Sequence, residues 1–523
     1  MPDWSVTQPL PSHWQIPIAG FDSAGGVLVG YGQVLSYNPV STRVAIAERQ
    51  NGAWVDVWEK QSQGDVIPIG ITVGVGADGT AAACYTAVTS ADPATFKFRH
   101  FVTYAPATTR TWENPTEIVP ETAASEYVRQ CRVAVSDNGI AAVIADRFDG
   151  PATGQAGSVV ITFHAPGSAW TTPQKLNPVD GLNGSAQLGI DAFGNATVAW
   201  RHRYQNSPER SSVRVATATA AGIQPSVALT PENGTDAFGV VLDVNYSGAA
   251  VIGIQLGSQA NVTYRDNQSA AWQPLTALFT STTASSSHCL AVAMTFSGMG
   301  YALMWRQGPS NSGNDTIMAA RRGSYGFWTN PKQVSVFNAM SFDGHIAVRR
   351  GPYDSEDAVL VYTAAVGYGG GDPGLGLFQA SHWPAYLSVP QPPVDIAPQG
   401  PHHSLEQVCG DNVGGVVVLE TVREGTTARC YATAFDATAP DIVEAVVPST
   451  ATVGQVVQLR SRVADTWSAI GQVSWDFGDG SPTGIGSTVT HSWPAAGPYT
   501  VTLTATDSEA NTATKSFAVT VNP

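Results

Sequence analysis

Apolar and polar positions follow one recurring pattern over the first 437 residues. Each copy has an apolar strand, a turn that ends in glycine, and a second strand of small and β-branched residues, as in GIDAFGNATVAW at 189–200. Successive copies begin roughly 50 to 60 residues apart, a period typical of repeated small β-sheets. Glycine suits the turn because a tight hairpin demands a positive φ. The repeated turn glycines are Gly25, Gly79, Gly139, Gly194, Gly248, Gly298 and Gly414, and a degenerate copy occupies 350–362.

Each copy continues with a third strand, a short turn and often a tryptophan before a fourth strand, as at 159–176. Four short antiparallel strands per repeat are typical of a β-propeller blade. The sequence therefore predicts an all-β protein with a propeller over 1–437, which has eight blades, or seven if one copy is an insertion. The residues expected to pack between blades are the repeated tryptophans Trp54, Trp112, Trp170, Trp272 and Trp328.

The last copy of the repeat supplies only three strands. Its third strand, ARCYATAF at 428–435, runs directly into the C-terminal segment of the chain. The N-terminal WSVTQPL at 4–10 is similar to the fourth strand WTTPQKL at 170–176. We therefore expect 4–10 to pair with the blade formed by 405–436 and to close the ring, which would remove exposed sheet edges.

The C-terminal segment, residues 438–523, has a different pattern from the repeats. VTLTAT at 501–506 and SFAVTV at 516–521 alternate apolar with small polar residues, the period of half-buried strands. They follow the motif WDFGDGSP at 475–482. On these residues the segment resembles the PKD domain, an immunoglobulin-like β-sandwich of extracellular and surface proteins. The resemblance implies a module that acts as a spacer or as a binding domain.

Four residues of the motif have predicted structural roles. Trp475 and Phe477 are expected in the core of the sandwich. Asp476 and Asp479 are expected to accept hydrogen bonds from turn amides, since turn aspartates usually bond their own backbone.

Composition limits the partners of the chain. Charged residues make up only 13% of it, against about 25% in average soluble domains, and no stretch has the charged 3.6-residue pattern of a long amphipathic helix. The net charge is −15 and the few basic residues are scattered, which excludes nucleic acid as an expected partner. No apolar run reaches the length of a transmembrane helix, so we expect no membrane span.

The five cysteines have no C-x-x-C spacing, so neither a zinc site nor a redox motif is predicted. They are expected mainly as small buried apolar residues. Cys409 and Cys430 could face each other across a hairpin and form a disulfide, which the sequence leaves open. We expect no metal and no cofactor.

Charged and aromatic residues cluster after the second strand of several copies, in positions that we expect to be loops on one rim of the propeller. Arginine and aromatic side chains offer forked hydrogen bonds and stacking faces, the usual anchors for sugars and proteins. The candidate ligand-binding residues are Arg147, Asp149, Arg201, His202, Arg203, Tyr204 and Arg306.

Catalytic motifs are missing from the sequence. VSDNGIAAV at 135–143 has the S-x-D-x-G part of the sialidase turn motif without its Thr-Trp, and no arginine triad, nucleophile elbow or P-loop accompanies it. We therefore expect no catalytic residues and a protein that is not an enzyme.

The whole chain looks like a minor tail protein or other surface protein of a phage particle. Low charge, Thr/Ser/Gly-rich strands and a PKD-like spacer suit a particle exterior, and no export signal is visible at the N-terminus. The expected partners are other virion proteins and a host-surface glycan or envelope component, with several copies per particle supplying avidity. A secreted bacterial adhesin and a propeller-fold enzyme that cleaves polysaccharides are the alternatives.

Overall fold

The computed structural model describes the following residues: 8–9, 18–21, 26–37, 40–50, 53–64, 66–89, 98–122, 131–148, 157–176, 182–204, 207–231, 236–279, 286–308, 315–323, 326–335, 344–348, 357–366, 375–396, 403–410, 416–424, 427–436, 439–465, 470–508 and 510–523. Every regular element in these residues is a β-strand, as predicted. Among them, no helix has the length and apolar character needed to cross a membrane. Two compact units are formed, one mainly by Ala434–Pro523 with Arg49–Val55, the other by Thr7–Glu48 and Asp56–Thr433.

The larger unit contains eight small antiparallel sheets within the described residues, numbered here along the chain. Sheet 1 contains β2 (Ile18–Phe21), β3 (Val27–Tyr37), β4 (Val40–Gln50) and β5 (Ala53–Gln61), and sheet 2 contains β6 (Ile67–Val75), β7 (Ala81–Val88), β8 (Phe98–Ala105) and β9 (Thr116–Thr122). Sheet 3 contains β10 (Cys131–Val135), β11 (Ala141–Phe148), β12 (Gly157–His164) and β13 (Gln174–Lys175). Sheet 4 contains β14 (Leu182–Ile190), β15 (Ala196–Tyr204), β16 (Ser207–Thr219), β17 (Gly222–Ile223) and β18 (Val227–Ala228). Sheet 5 contains β19 (Ala237–Val244), β20 (Ala250–Leu256), β21 (Gln259–Arg265) and β22 (Thr276–Ala277), and sheet 6 contains β23 (Ser287–Met294), β24 (Gly300–Arg306), β25 (Thr316–Arg322) and β26 (Lys332–Gln333). Sheet 7 contains β27 (Gly344–Val348), β28 (Ala358–Val366), β29 (Leu375–Trp383) and β30 (Val394–Asp395). Sheet 8 contains β31 (His403–Gly410), β32 (Val416–Glu424), β33 (Thr427–Phe435) and, from the N-terminal segment, β1 (Gln8–Pro9).

The repeated glycines lie in the turns that join the first and second strands of a sheet. In five sheets the turn glycine has a φ between 77° and 90°, a conformation that a side chain with a Cβ resists. These are the predicted glycines Gly79, Gly139, Gly194, Gly248 and Gly298. The predicted turn glycines Gly25 and Gly414 lie outside the described residues.

Neighbouring sheets bury their faces against each other. Buried apolar clusters join sheets 1 and 2, 2 and 3, 3 and 4, 4 and 5, 5 and 6, and 6 and 7. Four of the repeated tryptophans, Trp112, Trp170, Trp272 and Trp328, pack against these clusters, as predicted. The first strand of each sheet contacts the first strand of the next, and β31 of sheet 8 contacts β2 of sheet 1.

The N-terminal segment supplies the fourth strand of sheet 8. Gln8 of β1 pairs with Ala432 of β33, and Pro9 pairs with Tyr431, in antiparallel register. This is the partner strand predicted for the segment 4–10, whose other residues lie outside the described part of the chain. Proline is tolerated at an edge position such as β1 because it lacks only the amide donor.

A disulfide joins Cys84 of β7 to Cys131 of β10, with their Cα atoms 6.2 Å apart. It links sheet 2 to sheet 3 inside a buried cluster. Both cysteines are buried, as predicted, but the disulfide between them was not predicted, because their separation of 47 residues in sequence hides the contact between strands of adjacent sheets. Cys409 and Cys430 are not joined by a disulfide.

The smaller unit contains a β-sandwich. One sheet has the strand order β34-β36-β39 and the other β35-β41-β40-β37-β38. The strands are β34 (Asp441–Val446), β35 (Thr450–Thr452), β36 (Val457–Ala464), β37 (Ile470–Asp476), β38 (Gly484–Ile485), β39 (Thr488–His491), β40 (Gly497–Asp507) and β41 (Thr512–Asn522).

The predicted roles of the WDFGDGSP residues are confirmed. Trp475 and Phe477 are buried in the core cluster of the sandwich. The carboxylate of Asp476 accepts a hydrogen bond from the amide of Gly478 at 2.9 Å, and that of Asp479 accepts one from Ser481 at 3.0 Å. The side chains of these two aspartates thus stabilise the turn between β37 and β38.

Candidate functional site

Five of the predicted ligand-binding residues lie at the ends of strands, which corrects their expected position in loops. Arg201, His202, Arg203 and Tyr204 are the last residues of β15, and Arg306 is the last residue of β24. β15 continues past Trp200 because these four residues pair with β16, so the backbone hydrogen bonds of the ladder extend to Tyr204.

Arg201 is tied to the neighbouring sheet. One terminal nitrogen of its guanidinium lies 3.3 and 3.2 Å from the two carboxylate oxygens of Asp236, and its Nε donates to the hydroxyl of Ser211 at 3.0 Å. The guanidinium also lies 4.3 Å from the ring centre of Phe238. Ser211 in turn contacts Asp236 and donates to the carbonyl of Ala237 at 2.7 Å. These contacts join sheet 4 to sheet 5.

Burial lowers the pKa of Arg201, and the neighbouring charge of Arg203 lowers it further, while Asp236 acts in the opposite direction. Like charges disfavour each other when water is partly excluded. The end of β15 therefore holds two neighbouring guanidinium groups, of which that of Arg201 pairs with the carboxylate of Asp236.

His202 and Tyr204 lie on the other face of β15, since side chains alternate along a strand. Their rings meet edge to face with centres 4.8 Å apart. The hydroxyls of Tyr204 and Ser212 are 3.1 Å apart. The four predicted residues of β15 therefore divide into two pairs on opposite faces of the strand.

Of the other candidates, only the side chain of Arg306 is among the described residues. Arg306 packs its guanidinium over the ring of Phe279 at 5.3 Å, in sheet 6. The side chain of Arg147, near the end of β11, and all of Asp149 lie outside the described residues. The grouping of all seven candidates on one surface thus stays a prediction.

A row of aromatic side chains, which the sequence interpretation missed, lies at the opposite end of sheets 4, 5 and 6. We call Phe193, Tyr246 and Phe296 the aromatic row. The ring centres of Phe193 and Tyr246 are 5.7 Å apart, and those of Tyr246 and Phe296 are 5.3 Å apart. Phe193 is 62% and Tyr246 42% exposed, and Phe296 is half-buried. Adjacent large exposed aromatics are unusual on a surface that serves only for solubility.

The turns that carry the row are held together by hydrogen bonds. The amide of Ala192 donates to the carbonyl of Tyr246 at 3.1 Å, which joins the turns of sheets 4 and 5. The side-chain amide of Asn245 donates to the carbonyls of Thr295 and Phe296 at 2.8 and 3.1 Å, which joins sheets 5 and 6. The turns that carry the rings are therefore joined to one another by hydrogen bonds.

Each turn is also braced internally. Asp191 accepts hydrogen bonds from the amides of Phe193 and Asn195 at 2.9 and 2.8 Å, and Asn245 accepts from Ser247 and Ala249 at 3.0 and 2.9 Å. A signal for the row was present in the sequence, because the turns DAFGN, NYSG and TFSG hold an aromatic residue where the equivalent turns at 76–79 and 136–139 hold small or polar ones.

One group of carboxylates in the described residues could hold a metal ion. In the smaller unit, carboxylate oxygens of Asp436, Asp465 and Asp507 all lie within 4.8 Å of one another. Asp507 accepts hydrogen bonds from the backbone amide of Asn511 at 2.8 Å and from its side chain at 2.9 Å. An all-oxygen donor set of this kind suits a hard divalent cation such as Ca²⁺.

Several solved structures are similar to the chain. An ulvan lyase that represents a polysaccharide lyase family is 9% identical, with a TM-score of 0.41, and 68% of this chain and 90% of that one are covered. The α-L-arabinanase of Penicillium chrysogenum is 13% identical, with a TM-score of 0.30 and coverage of 58% and 91%. The NanB sialidase of Streptococcus pneumoniae is 9% identical, with a TM-score of 0.36 and coverage of 80% and 89%.

These similarities contradict the expectation that the protein is not an enzyme, since the three proteins are a lyase, an arabinanase and a sialidase. The missing motifs do not support that exclusion, because catalytic residues on a propeller come from separate strands and need no local signature. At these identities and TM-scores the similarities assign no reaction to this chain.

The C-terminal segment matches a protein-family model. The PKD domain model covers residues 437–521, which include all eight strands of the sandwich up to Val521. The match agrees with the buried Trp475 and the aspartate-capped turn described above. Residues 437–521 are thus a PKD domain.

Proposed function

We propose that the protein binds carbohydrate, and that the aromatic row is its main contact with the sugar. The observation that carries this proposal is the set of three adjacent aromatic rings on turns that hydrogen bonds hold together. The C–H groups of a sugar ring form an apolar, weakly positive face, which packs favourably on the negative face of an aromatic ring.

The surroundings of the row support a polar ligand over a purely apolar one. The residues that follow Tyr246 and Phe296 in their turns are Ser247 and Ser297, both exposed. Hydroxyl groups beside an aromatic face can hydrogen-bond the ring substituents of a sugar that stacks on it. Three rings in succession match an extended ligand, such as successive residues of a polysaccharide, better than a single small molecule.

We further propose that the eight sheets are the blades of a closed propeller. Contacts between successive first strands, the contact of β31 with β2, and the pairing of β1 with β33 support this arrangement. In a propeller, turns of one class lie on one rim, so the aromatic row and the arginine end of β15 would occupy opposite rims.

A place on a phage particle, with a host-surface glycan as the ligand, is the setting that we propose for this binding. The PKD domain and the weakly charged surface support a protein that works outside a cell. Mass spectrometry of purified particles tests the setting, because a virion protein must copurify with them. A polypeptide found only in the medium or on a bacterial surface would favour the adhesin alternative instead.

Binding to immobilised bacterial envelope polysaccharides tests the proposed function. Phe193→Ala and Tyr246→Ala are each expected to weaken binding about tenfold, since aromatic anchors commonly contribute more than 1 kcal/mol. Phe327→Ala is the matched control, because Phe327 is 82% exposed and makes no ring contact within the described residues.

Two results would contradict the role of the row. One is unchanged binding by a Phe193→Ala/Tyr246→Ala double variant that retains the wild-type melting temperature. The other is an equal loss of binding in Phe327→Ala, which would show that any exposed ring contributes. Chromatography of the recovered polysaccharide, run alongside, shows whether the protein also cleaves what it binds.

A further inference from the structure

The end of β15 contains a guanidinium group whose hydrogen bonds are incomplete. The Nε of Arg203 is buried and has no hydrogen-bond partner. Arg203 as a whole is half-buried, so part of the residue is accessible to solvent. A buried N–H group without an acceptor is costly, so a group that accepts hydrogen bonds from this guanidinium would stabilise it.

Arg201, at the same end of β15, has partners for its Nε and for one terminal nitrogen. Its Nε donates to Ser211, and its terminal nitrogen pairs with Asp236. Arg203 lies two residues further along the same face of the strand, and the carboxylate that neutralises Arg201 makes no ion pair with it. The described charges at this end of sheet 4 are therefore two positive and one negative.

Among the described side chains, this excess of positive charge is local. The whole chain carries a net charge of −15, so its long-range field repels anions and gives no general basic surface. An anion bound here would have to be recognised by the arginine pair itself. The forked guanidinium geometry suits an oxyanion, whose two oxygens can accept parallel hydrogen bonds.

We propose that Arg203, supported by Arg201, binds an oxyanion at the end of β15. On the basis of the proposed carbohydrate binding, the natural ligand group is the carboxylate of an acidic sugar residue. The anion accepts hydrogen bonds from Arg203 and offsets the repulsion between the two guanidinium groups. Arg203 thus selects acidic polysaccharide, whereas the aromatic row binds sugar faces without regard to charge.

Calorimetric titration of the full-length protein tests the proposal with three probes: sodium sulfate, oligogalacturonate, and a neutral oligosaccharide of the same length. Wild type is expected to bind both anions. Arg203→Gln should weaken anion binding about tenfold, because a charge-assisted hydrogen bond is lost. Arg203→Lys should retain part of the affinity, since it keeps the charge without the fork. Lys332→Gln is the matched control, because it removes one positive charge from the exposed strand β26.

The melting temperature separates binding from a structural role. Without anion, Arg203→Gln is expected to melt at or above the wild-type temperature, because the variant removes repulsion with Arg201. With sulfate, wild type should gain more stability than Arg203→Gln, since ligand binds only the folded state. A large loss of stability in Arg203→Gln without anion would overturn the proposal in favour of a structural arginine.

The probes also separate this proposal from the function proposed above. Sulfate binding that depends on Arg203, without oligogalacturonate binding, would support an oxyanion site and reject the acidic sugar as its ligand. Equal anion binding by wild type and Arg203→Gln would overturn the site and leave carbohydrate binding by the aromatic row intact. Loss of polysaccharide binding in Phe193→Ala with retained sulfate binding is the expected pattern for two separate sites.

Discussion

The eight-sheet unit and the PKD sandwich distribute their buried side chains differently. The sandwich has one core cluster that contains two fully buried tryptophans, Trp475 and Trp493. In the eight-sheet unit, separate clusters lie between successive sheets and include many small residues such as Ala82 and Ala142. The sandwich therefore buries its side chains within a single module, whereas each small sheet buries its side chains against its neighbours, as in repeat proteins.

The largest expected effect is on the eight-sheet unit as a whole. Deleting residues 1–10 removes β1 and leaves β33 as an exposed edge strand. We expect aggregation or a large drop in melting temperature, measured by light scattering and calorimetry. A truncated protein that melts and elutes like the full-length chain would show that the unit does not need this strand.

A strong but local effect is expected in the sandwich. The fragment 437–523 should fold alone and give dispersed amide signals, because it contains its own core. Trp475→Ala in this fragment is expected to lose about 3 to 5 kcal/mol of unfolding free energy in denaturant titration. Ile485→Ala, at a residue that is 60% exposed, should change it by less than about 0.5 kcal/mol. An unfolded wild-type fragment would mean that the sandwich needs the rest of the chain.

A somewhat smaller effect is expected from the disulfide between sheets 2 and 3. Cys84→Ala/Cys131→Ala should lose about 2 to 4 kcal/mol of stability, because the bond closes a loop with a sequence separation of 47 residues. Dithiothreitol should lower the melting temperature of wild type and leave the variant unchanged. Alkylation of all five cysteines in denatured, unreduced wild type would contradict the bond.

The smallest expected effect is a pH dependence of the stability of the sandwich. Burial raises the pKa of Asp479, but hydrogen bonds from Ser481 and His491 outweigh burial and hold the pKa below its usual value. A lowered folded-state pKa gives stability that is present at neutral pH and is lost as the pH falls below about 4. The melting temperature of Asp479→Asn should therefore approach that of wild type in acid, and a constant difference at every pH would contradict this origin.

The repeat pattern predicted most of the eight-sheet unit because its signals are local. The positive φ of Gly79 and Gly248, and the packing of Trp112 between sheets, follow from short motifs in the chain. The PKD domain could equally be predicted from the sequence, since its turn and its alternating strands lie within one short segment.

The candidate site was predicted less well because it depends on neighbours that are distant in sequence. The sequence indicated that Arg201 and Arg203 lie near one end of a sheet, but it did not indicate the pairing of Arg201 with Asp236. The aromatic row was missed because Phe193 and Tyr246 belong to different repeats, and no single repeat shows a row.

The amino-acid sequence by itself determined the strand period, the turn glycines and the boundary signals of the two fold types, since these depend on φ/ψ preferences and on the alternation of apolar residues. The tertiary structure decided which repeats lie side by side, and with that the bond between Cys84 and Cys131, the row of exposed rings and the unequal hydrogen bonding of Arg201 and Arg203. Each of these features joins residues from different strands or sheets, so it exists only after packing has brought them within a few ångströms of each other.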